Sequence, residues 1–350
     1  MDHLNGYRGP PPCQNPDCTD EAHFRNGYTR CLEHDSEPFV AAPLTEPKTA
    51  GISNGELTFF FGASCGSSRK TLRQMEEPNV CLSYATKNNS AWNGIESLMI
   101  DSGGYSLITS GGGSYDSPIT EYLDYVDDVG AKWFMTRDIP AADPVLKHID
   151  NGVSEAISRT VKLTRDTLDA ARDHPVDAEP IAVLQGQTPA DYVKCYHELV
   201  RHDALTGRVA IGSLKGHTSA EVASIVRAVR DVIREDERNL GALHGHTEGG
   251  TIELHGLGVD VPELEYEVVR NTLSSADSSR YISTARWRGN RDETPARLRD
   301  DEPKQGWFET ARAYLDMRTQ LRDVLDHEAA EGEVTEVSLA DSQQTTLQQT

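Results

Sequence analysis

Short apolar runs alternate with amphipathic helical patterns from about residue 56 onward, and this alternation limits the fold more than any other feature of the chain. Each run has the length of a buried β-strand, and helical patterns separate most of them. Such alternation favours a parallel α/β sheet. Eight runs predict a closed (β/α)8 TIM barrel, with an open doubly wound sheet as the alternative. The predicted strands are Leu57–Phe61, Val80–Tyr84, Leu98–Asp101, Trp133–Asp138, Pro180–Gln185, Arg208–Gly212, Thr251–His255 and Leu273–Asp277.

The predicted helices carry start signals at their first turns. Pro118, Pro189 and Pro262 stand where first-turn prolines are favoured, and Ser219 with Glu221 indicates another helix start. No Gly-x-Gly-x-x-Gly follows the first strand, which argues against a dinucleotide-binding fold. The clearest helices are Pro118–Val129, Val153–Arg172, Pro189–His202, Ser219–Glu235, Val261–Asn271 and Gly306–His327.

Composition divides the chain into three parts. Residues 1–50 hold three of the six cysteines and many prolines without any sustained periodicity, and they are predicted to form a small N-terminal zinc-knuckle segment. Residues 51–330 are predicted to form the barrel. Residues 331–350 are rich in Gln, Thr and Ser, which predicts a disordered polar tail.

The zinc prediction rests on the spacing Cys13-x4-Cys18-x12-Cys31-x2-His34. Two close pairs of soft or borderline ligands, separated by a short loop, suit the tetrahedral coordination of a closed structural Zn²⁺ site. The alternative is three free thiols in a disordered leader, and His23 inside the loop is expected to be a bystander. No organic cofactor is predicted.

The chain is strongly acidic, with 56 Asp and Glu against 34 Lys and Arg and a net charge of −22. Acids spread along the whole length are typical of proteins from salt-loving microbes, although a merely acidic protein is the alternative. No apolar run is long enough to span a membrane, and the first residues carry no secretory signal, so we expect a cytoplasmic protein with no membrane partner.

A basic cluster stands out against this acidity at Arg280, Arg286, Arg288 and Arg291. In molar salt the Debye length is only about 3 Å, so a local cluster can contact phosphates despite the overall charge. We therefore predict that these arginines bind nucleic acid, the alternative being a solvated helix face.

Polar residues stand at the carboxyl ends of the predicted strands, which meet at one mouth in a (β/α)8 barrel. Asp101 is followed by two glycines and Tyr105, although a strand-ending Asp before glycines is also common turn chemistry. Two carboxylates at one mouth can act as a nucleophile and as a general acid/base. The other strand-end residues are Asp138, Gln185, Gly186, Gly212, Ser213, His255 and Asp277.

This ordered set resembles the guanine transglycosylase family, whose best-known members exchange guanine in tRNA for a 7-deazaguanine. The resemblance covers about residues 56–290 and rests on short motifs in the right order. These are Asp101-Ser-Gly-Gly-Tyr105, Asp138 after Phe134-Met135, Leu184-Gln185-Gly186, Ala210-Ile-Gly212-Ser213, Gly256-Leu-Gly258 and the segment around Asp277.

The resemblance implies a role for each matching residue. Asp277 would be the nucleophile that attacks C1′ of the nucleoside, and Asp101 the acid/base that serves the departing and incoming bases. Asp138 and Gln185 would hold the base edge, with Gly186 in the same motif. The remaining substrate contacts would be Gly212, offering backbone near the 7-position, Ser213 beside the 7-substituent, and Tyr105 against the base plane.

Two departures direct the resemblance toward the DNA-modifying branch of the family. The tRNA enzymes carry a cysteine-rich zinc site after the last catalytic Asp, whereas this chain has no cysteine beyond Cys195. Only about sixty residues follow the arginine cluster, too few for the long RNA-binding domains of the archaeal enzymes. The implied partners are DNA, a free 7-deazaguanine base of the preQ0 type and other proteins of a DNA-modification system.

Three other functions remain open. The first is an archaeosine-type tRNA transglycosylase. The second is a non-catalytic nucleic-acid-binding protein that bears the zinc knuckle. The third is an unrelated barrel hydrolase with a metal at His244, His246 and His255.

Overall fold

The structure, a computed structural model, describes residues 23–25, 28–30, 51–54, 56–88, 92, 95–110, 114–174, 176–240, 251–289 and 302–326. Eight parallel strands form a closed barrel surrounded by helices, so the predicted (β/α)8 architecture is confirmed. The closing pair joins Thr58–Phe61 of the first barrel strand to Ser275–Ser278 of the last, which excludes the open sheet. The predicted zinc ligands and the polar tail 331–350 lie outside the described residues.

The strands of the barrel are β4 to β11, and three short strands precede them. A separate antiparallel pair is formed by β1 and β2, and β3 pairs antiparallel with the beginning of β4. Their bounds are β1 His23–Arg25, β2 Tyr28–Arg30, β3 Ile52–Ser53, β4 Thr58–Ala63, β5 Asn79–Ser83, β6 Ser97–Asp101, β7 Trp133–Met135, β8 Glu179–Leu184, β9 Arg208–Ile211, β10 Glu253–Gly256 and β11 Ser275–Ser278.

Helices cover the outside of the barrel, and a short 3-10 helix, Tyr84–Thr86, follows β5. Their bounds are α1 Gly66–Gln74, α2 Gly104–Ser110, α3 Ile119–Asp128, α4 Asp143–Leu146, α5 Gly152–Asp173, α6 Pro189–Arg201, α7 Ser219–Leu240, α8 Val261–Leu264, α9 Glu267–Arg270, α10 Arg280–Gly289 and α11 Glu302–Asp326. None of the helices within these ranges is long and apolar enough to cross a bilayer.

The barrel strands are apolar on both faces because each face meets a different part of the core. On β4, Phe60 points into the barrel and packs edge-on against Trp133, with ring centroids 6.0 Å apart. Its neighbour Phe61 points outward against Tyr314 of α11, at 4.8 Å. Alternate side chains therefore fill either the barrel interior or the layer beneath the helices, which explains the continuous apolar runs in the sequence.

The helix start predicted at Ser219 is confirmed, and another predicted helix is broken in two. The cap of α7 is Thr218, whose hydroxyl accepts the Glu221 N–H while its own N–H donates to the Glu221 carboxylate. The helix predicted over Val261–Asn271 is broken between α8 and α9. Arg270 donates from Nη1 to the carbonyls of Leu264 and Glu265, which satisfies the end of α8 and allows the break.

The last helix, α11, is fastened to the barrel by a buried ion pair. Glu77, in the segment before β5, accepts hydrogen bonds from Tyr314, at 2.6 Å, and from the Arg318 guanidinium. Glu77 is completely buried and Arg318 almost so, so each charge depends on the other for compensation. The helix after the final strand is thus part of the barrel's packed core.

Candidate active site

A cavity of about 650 Å³ opens at the carboxyl ends of the barrel strands. Three carboxylates line it, from Asp101 at the end of β6, Asp138 beyond β7 and Asp277 in β11. β6 and β11 lie three strands apart around the ring, so Asp101 and Asp277 approach the cavity from different sides. Burial raises the pKa of the Cys81 thiol, and the charges of both Asp277 and Asp101 raise it further. The two predicted catalytic acids therefore line the same cavity, and both affect the thiol of Cys81, which also lines it.

Hydrogen bonds hold both side-chain oxygens of Asp138 and both of its backbone polar groups. Its Oδ1 accepts from Ser102 at 2.9 Å and its Oδ2 from Gln185 Nε2 at 2.6 Å. Tyr115 donates to the backbone carbonyl of Asp138 and accepts from its N–H. Burial raises the pKa of Asp138 to about 6, although the bonds from Ser102, Gln185 and Tyr115 oppose the rise. The carboxylate is ionised at neutral pH and keeps lone pairs free for a ligand.

The Gln185 amide has one orientation only. Its Oε1 accepts from Ser213 Oγ at 2.6 Å and from the Ala141 N–H at 3.1 Å, while Nε2 donates to Asp138. A flipped amide would set its oxygen against the carboxylate and its nitrogen against the Ala141 N–H. One N–H of Nε2 therefore remains to donate to a ligand, beside the acceptor atoms of Asp138.

Ser213 and Gly212 make this arrangement possible by their backbone. Ser213 has φ of +55°, a left-handed conformation that non-glycine residues adopt only occasionally, and it turns the hydroxyl toward Gln185. A Cβ at Gly212 would lie 2.4 Å from Gln185 Nε2. Gly212 lines the cavity, and its role of offering backbone to the ligand stays a prediction. Its N–H donates to the Leu184 carbonyl, and its own carbonyl accepts from the Tyr192 hydroxyl. Gly212 has no side chain, and this leaves the space that the Gln185 amide occupies.

Asp101 has the strongest electrostatic perturbation among the three acids. Burial raises its pKa to about 7, and the neighbouring charges of Asp138 and Asp277 add to the rise. Hydrogen bonds from the Gly103 N–H and the Ser83 hydroxyl oppose it. A carboxyl that titrates near neutral pH can both give and take a proton, which suits a general acid/base.

Asp277 is anchored through one of its two oxygens. Its Oδ1 accepts from the Gly258 N–H at 3.1 Å and lies 3.4 Å from His255 Nε2. Ser275 Oγ lies 2.9 Å from the other ring nitrogen of His255. In the part of the chain that the structure describes, Asp277 Oδ2 makes no hydrogen bond, so this oxygen is available to a ligand.

The remaining predicted substrate contacts divide into two groups. Tyr105 and Ser213 line the cavity, and the Tyr105 side chain is 51% exposed at its rim. Gly186 does not line it: the backbone of Gly186 packs against Asp191 and Tyr192 at the start of α6. Its role as a binding residue stays a prediction, and Gln187, the next residue along the chain, lines the cavity.

The predicted nucleic-acid contacts lie on α10, which follows the Asp277 strand. Arg280 is paired with Asp260 at 3.1 Å and stays half exposed, and Arg286 is exposed. Only the backbone of Arg288 is described, and Arg291 lies outside the described residues. The exposed face of α10 thus carries at least one cation, Arg286.

The sequence prediction missed several residues that hold the acids in place. Ser102 lies within the Asp101 motif and Gly258 within the glycine turn after β10, so both had a local signal. Ser275 lies within the Asp277 segment, so it also had a local signal. Tyr115 had none, since the barrel brings it to Asp138 from a distant position.

The metal-hydrolase alternative has little support in the described residues. No group of three or more His, Cys, Asp or Glu side chains is arranged there to hold a metal. His255 is occupied by Ser275 and Asp277, and His244 and His246 lie outside the described residues.

Because three carboxylates line the cavity, it favours a ligand that offers N–H donors or positive charge over an anion. Comparison with known proteins adds no assignment: no family model matches the chain, and no curated protein matches it.

Proposed function

We propose that this protein exchanges guanine in DNA for a 7-deazaguanine base of the preQ0 type through a covalent glycosyl-enzyme intermediate. One observation carries the proposal: Asp101 and Asp277 line the same cavity, with Asp138 and Gln185 on its wall. The motif resemblance in the sequence supplies the substrate class, since the fold alone hosts many chemistries.

In the first half-reaction, Asp277 Oδ2 forms a bond to C1′ of the target nucleotide as the C1′–N9 bond breaks. The electron pair of that bond leaves with the guanine, and Asp101 supplies the proton that neutralises the departing base. Protonated Asp101 is well populated because its pKa is raised to about 7. Asp277 is held by Gly258 and His255 with one oxygen free, as the attack requires.

In the second half-reaction, the free 7-deazaguanine base takes the place of guanine. Its N9 attacks C1′ as Asp101 removes the N9 proton, and the C1′–Oδ2 bond breaks to restore the Asp277 carboxylate. Two displacements at one carbon retain the configuration of the sugar.

The wall of the cavity matches the edge of a guanine-like base. Asp138 has acceptor capacity for the N1–H and the exocyclic amino group, and the spare N–H of Gln185 Nε2 can donate to O6. An adenine edge would place its N1 acceptor against the Asp138 carboxylate. The carboxylate, and the Gln185 amide that is held beside it, therefore disfavour adenine. A 7-deazaguanine has the same edge, which allows departing and incoming bases to use one subsite.

A base inside a duplex does not reach this cavity unless the nucleotide leaves the stack. Tyr105 lines the cavity and is exposed as a surface for stacking, and Arg286 on α10, the helix that follows the Asp277 strand, is exposed for phosphate contact. These positions support a flipped or single-stranded nucleotide as substrate.

The experiment is base exchange with labelled guanine and labelled preQ0 on DNA and on tRNA, using the whole chain. Incorporation into DNA supports the proposal. Exchange on tRNA alone would favour the tRNA enzyme. Asp277→Asn should abolish the covalent adduct while nucleic-acid binding is kept, and binding by the wild type with no exchange on either substrate would favour a non-catalytic binding protein.

We also propose structural Zn²⁺ at Cys13, Cys18, Cys31 and His34, whose ligand chemistry suits a closed site. Metal analysis should give one zinc per chain. A variant with Cys13→Ser and Cys18→Ser should lose this zinc and keep the barrel's circular dichroism. Its DNA affinity then decides whether the segment docks DNA.

A further inference from the structure

His255 is a completely buried histidine with a defined neighbour at each ring nitrogen. Its Nδ1 lies 2.9 Å from Ser275 Oγ, and its Nε2 lies 3.4 Å from Asp277 Oδ1. The ring of Phe60 packs against it edge-on, with centroids 6.2 Å apart. The imidazole is therefore fixed in orientation beneath the carboxylate of Asp277.

The hydrogen-bond inventory determines which ring nitrogen carries the proton. Ser275 has one hydroxyl proton and can donate it to Nδ1, which leaves the proton of a neutral ring on Nε2. In a doubly protonated ring Nε2 also donates. The remaining form, with a bare Nε2, would set a lone pair against a carboxylate oxygen of Asp277. Every favourable form therefore donates a proton from Nε2 to Asp277 Oδ1.

Asp277 Oδ1 consequently receives two donors, the Gly258 N–H at 3.1 Å and His255 Nε2–H. Oδ2 has no hydrogen-bond partner among the residues placed by the structure. We propose that His255, oriented by Ser275, is a positioning residue that holds Oδ1 so that Oδ2 is the atom that bonds to C1′. This inference rests on the proposed glycosyl transfer.

The same contact serves both half-reactions. When Oδ2 bonds to C1′, Oδ1 becomes the carbonyl oxygen of the glycosyl ester and still accepts from His255 and Gly258. When the incoming base breaks the ester, negative charge returns to the carboxylate, and preorganised donors stabilise charge where it develops. His255 thus acts through Asp277 and touches no substrate atom.

The test uses single-turnover kinetics on the full chain with a guanine-containing oligodeoxynucleotide. Two rates are measured: formation of the covalent adduct, and its discharge by free preQ0. The variants are His255→Phe, which removes the donor, His255→Gln, which places an amide N–H near the position of Nε2, and Ser275→Ala, which frees the ring. His197→Gln on α6, an exposed position far from the cavity, is the matched control.

We expect His255→Phe to slow both rates by about 10- to 100-fold, because a lost preorganised donor has an effect of this order or larger. The Kd for the oligonucleotide should change less than about twofold, since His255 touches no substrate in this arrangement. His255→Gln should recover most of the rate. Ser275→Ala should slow both steps by about fivefold, since the ring then also populates the form with a bare Nε2.

Circular dichroism and thermal unfolding establish that each variant is folded, and if His255→Phe is not, then His255→Gln and Ser275→Ala decide the question. A folded His255→Phe with wild-type rates would overturn the inference and leave the proposed function intact. A His255→Phe variant that loses oligonucleotide affinity by the same factor as it loses rate would also overturn the inference. A wild-type protein that forms no adduct on any nucleic acid would instead overturn the proposed function itself, and the inference with it.

Discussion

Gly212→Ala should impair base recognition while both proposed catalytic acids stay in place. The added Cβ would lie 2.4 Å from Gln185 Nε2 and 3.2 Å from Val183 Cγ1, so the amide must move by about 1 Å to reach ordinary contact. That movement breaks or lengthens the 2.6 Å bond to Asp138 and opens the contact with Ser213. The φ of Gly212 is not left-handed, so alanine is tolerated by the backbone itself.

The magnitude follows from overpacking. Forcing an extra methyl group into a packed site costs about 1–3 kcal/mol. If the substitution raises the free energy of the complex with the base by about 1.4–2.8 kcal/mol relative to the unliganded protein, the affinity for free guanine or preQ0 falls about 10- to 100-fold. Equilibrium binding of labelled guanine and preQ0 measures the loss directly. Gly66→Ala is the matched control, because a Cβ at Gly66 meets no atom within 4 Å. An unchanged base affinity in folded Gly212→Ala protein would refute the assignment of Gln185 as a base contact.

Three further predictions concern charge and specificity. The folded pKa of Asp101 is raised from 3.8 to about 7, so the unfolded chain loses this proton first and stability falls as pH rises from about 4 to 7. Asp101→Asn removes that penalty, so it should stabilise the protein more at pH 8 than at pH 5. The difference should be no more than about 3 kcal/mol, because only about two pKa units of the shift lie above pH 5, at about 1.36 kcal/mol each. Denaturant unfolding measures it, and equal stabilisation at both pH values would contradict this origin. Glu77→Gln removes the negative charge paired with the buried Arg318 guanidinium and should lower the free energy of unfolding by about 3–5 kcal/mol, and a loss below about 1 kcal/mol would show that α11 does not depend on the pair. Ser213→Gly removes a hydroxyl that donates to Gln185 Oε1 and relieves the left-handed backbone, so the preference for guanine over adenine should weaken in a competition assay with little change in stability; an unchanged preference would show that Asp138 and the Ala141 N–H orient the amide without Ser213.

The local sequence pattern was sufficient to predict the strands of the barrel and the acids at their ends. The apolar runs predicted all eight barrel strands, because a parallel strand buried on both faces needs a continuous apolar stretch. The strand-end positions of Asp101, Asp138 and Asp277 then followed from barrel geometry, since parallel strands deliver their carboxyl ends to one mouth. The local pattern does not show where the backbone of a single residue lies, as at Gly186, whose backbone packs against the start of α6.

Tertiary structure alone decided how the acids are supported. Tyr115 reaches Asp138 across 23 residues of chain, Ser213 reaches Gln185 across 28, and His255 reaches Asp277 across 22. The sequence by itself determined which strands form and which polar residues end them, because strand period and length are local properties. The pairing of those residues depends on sheet register and on the closing contact of β4 with β11, and these arise only when the whole chain is folded.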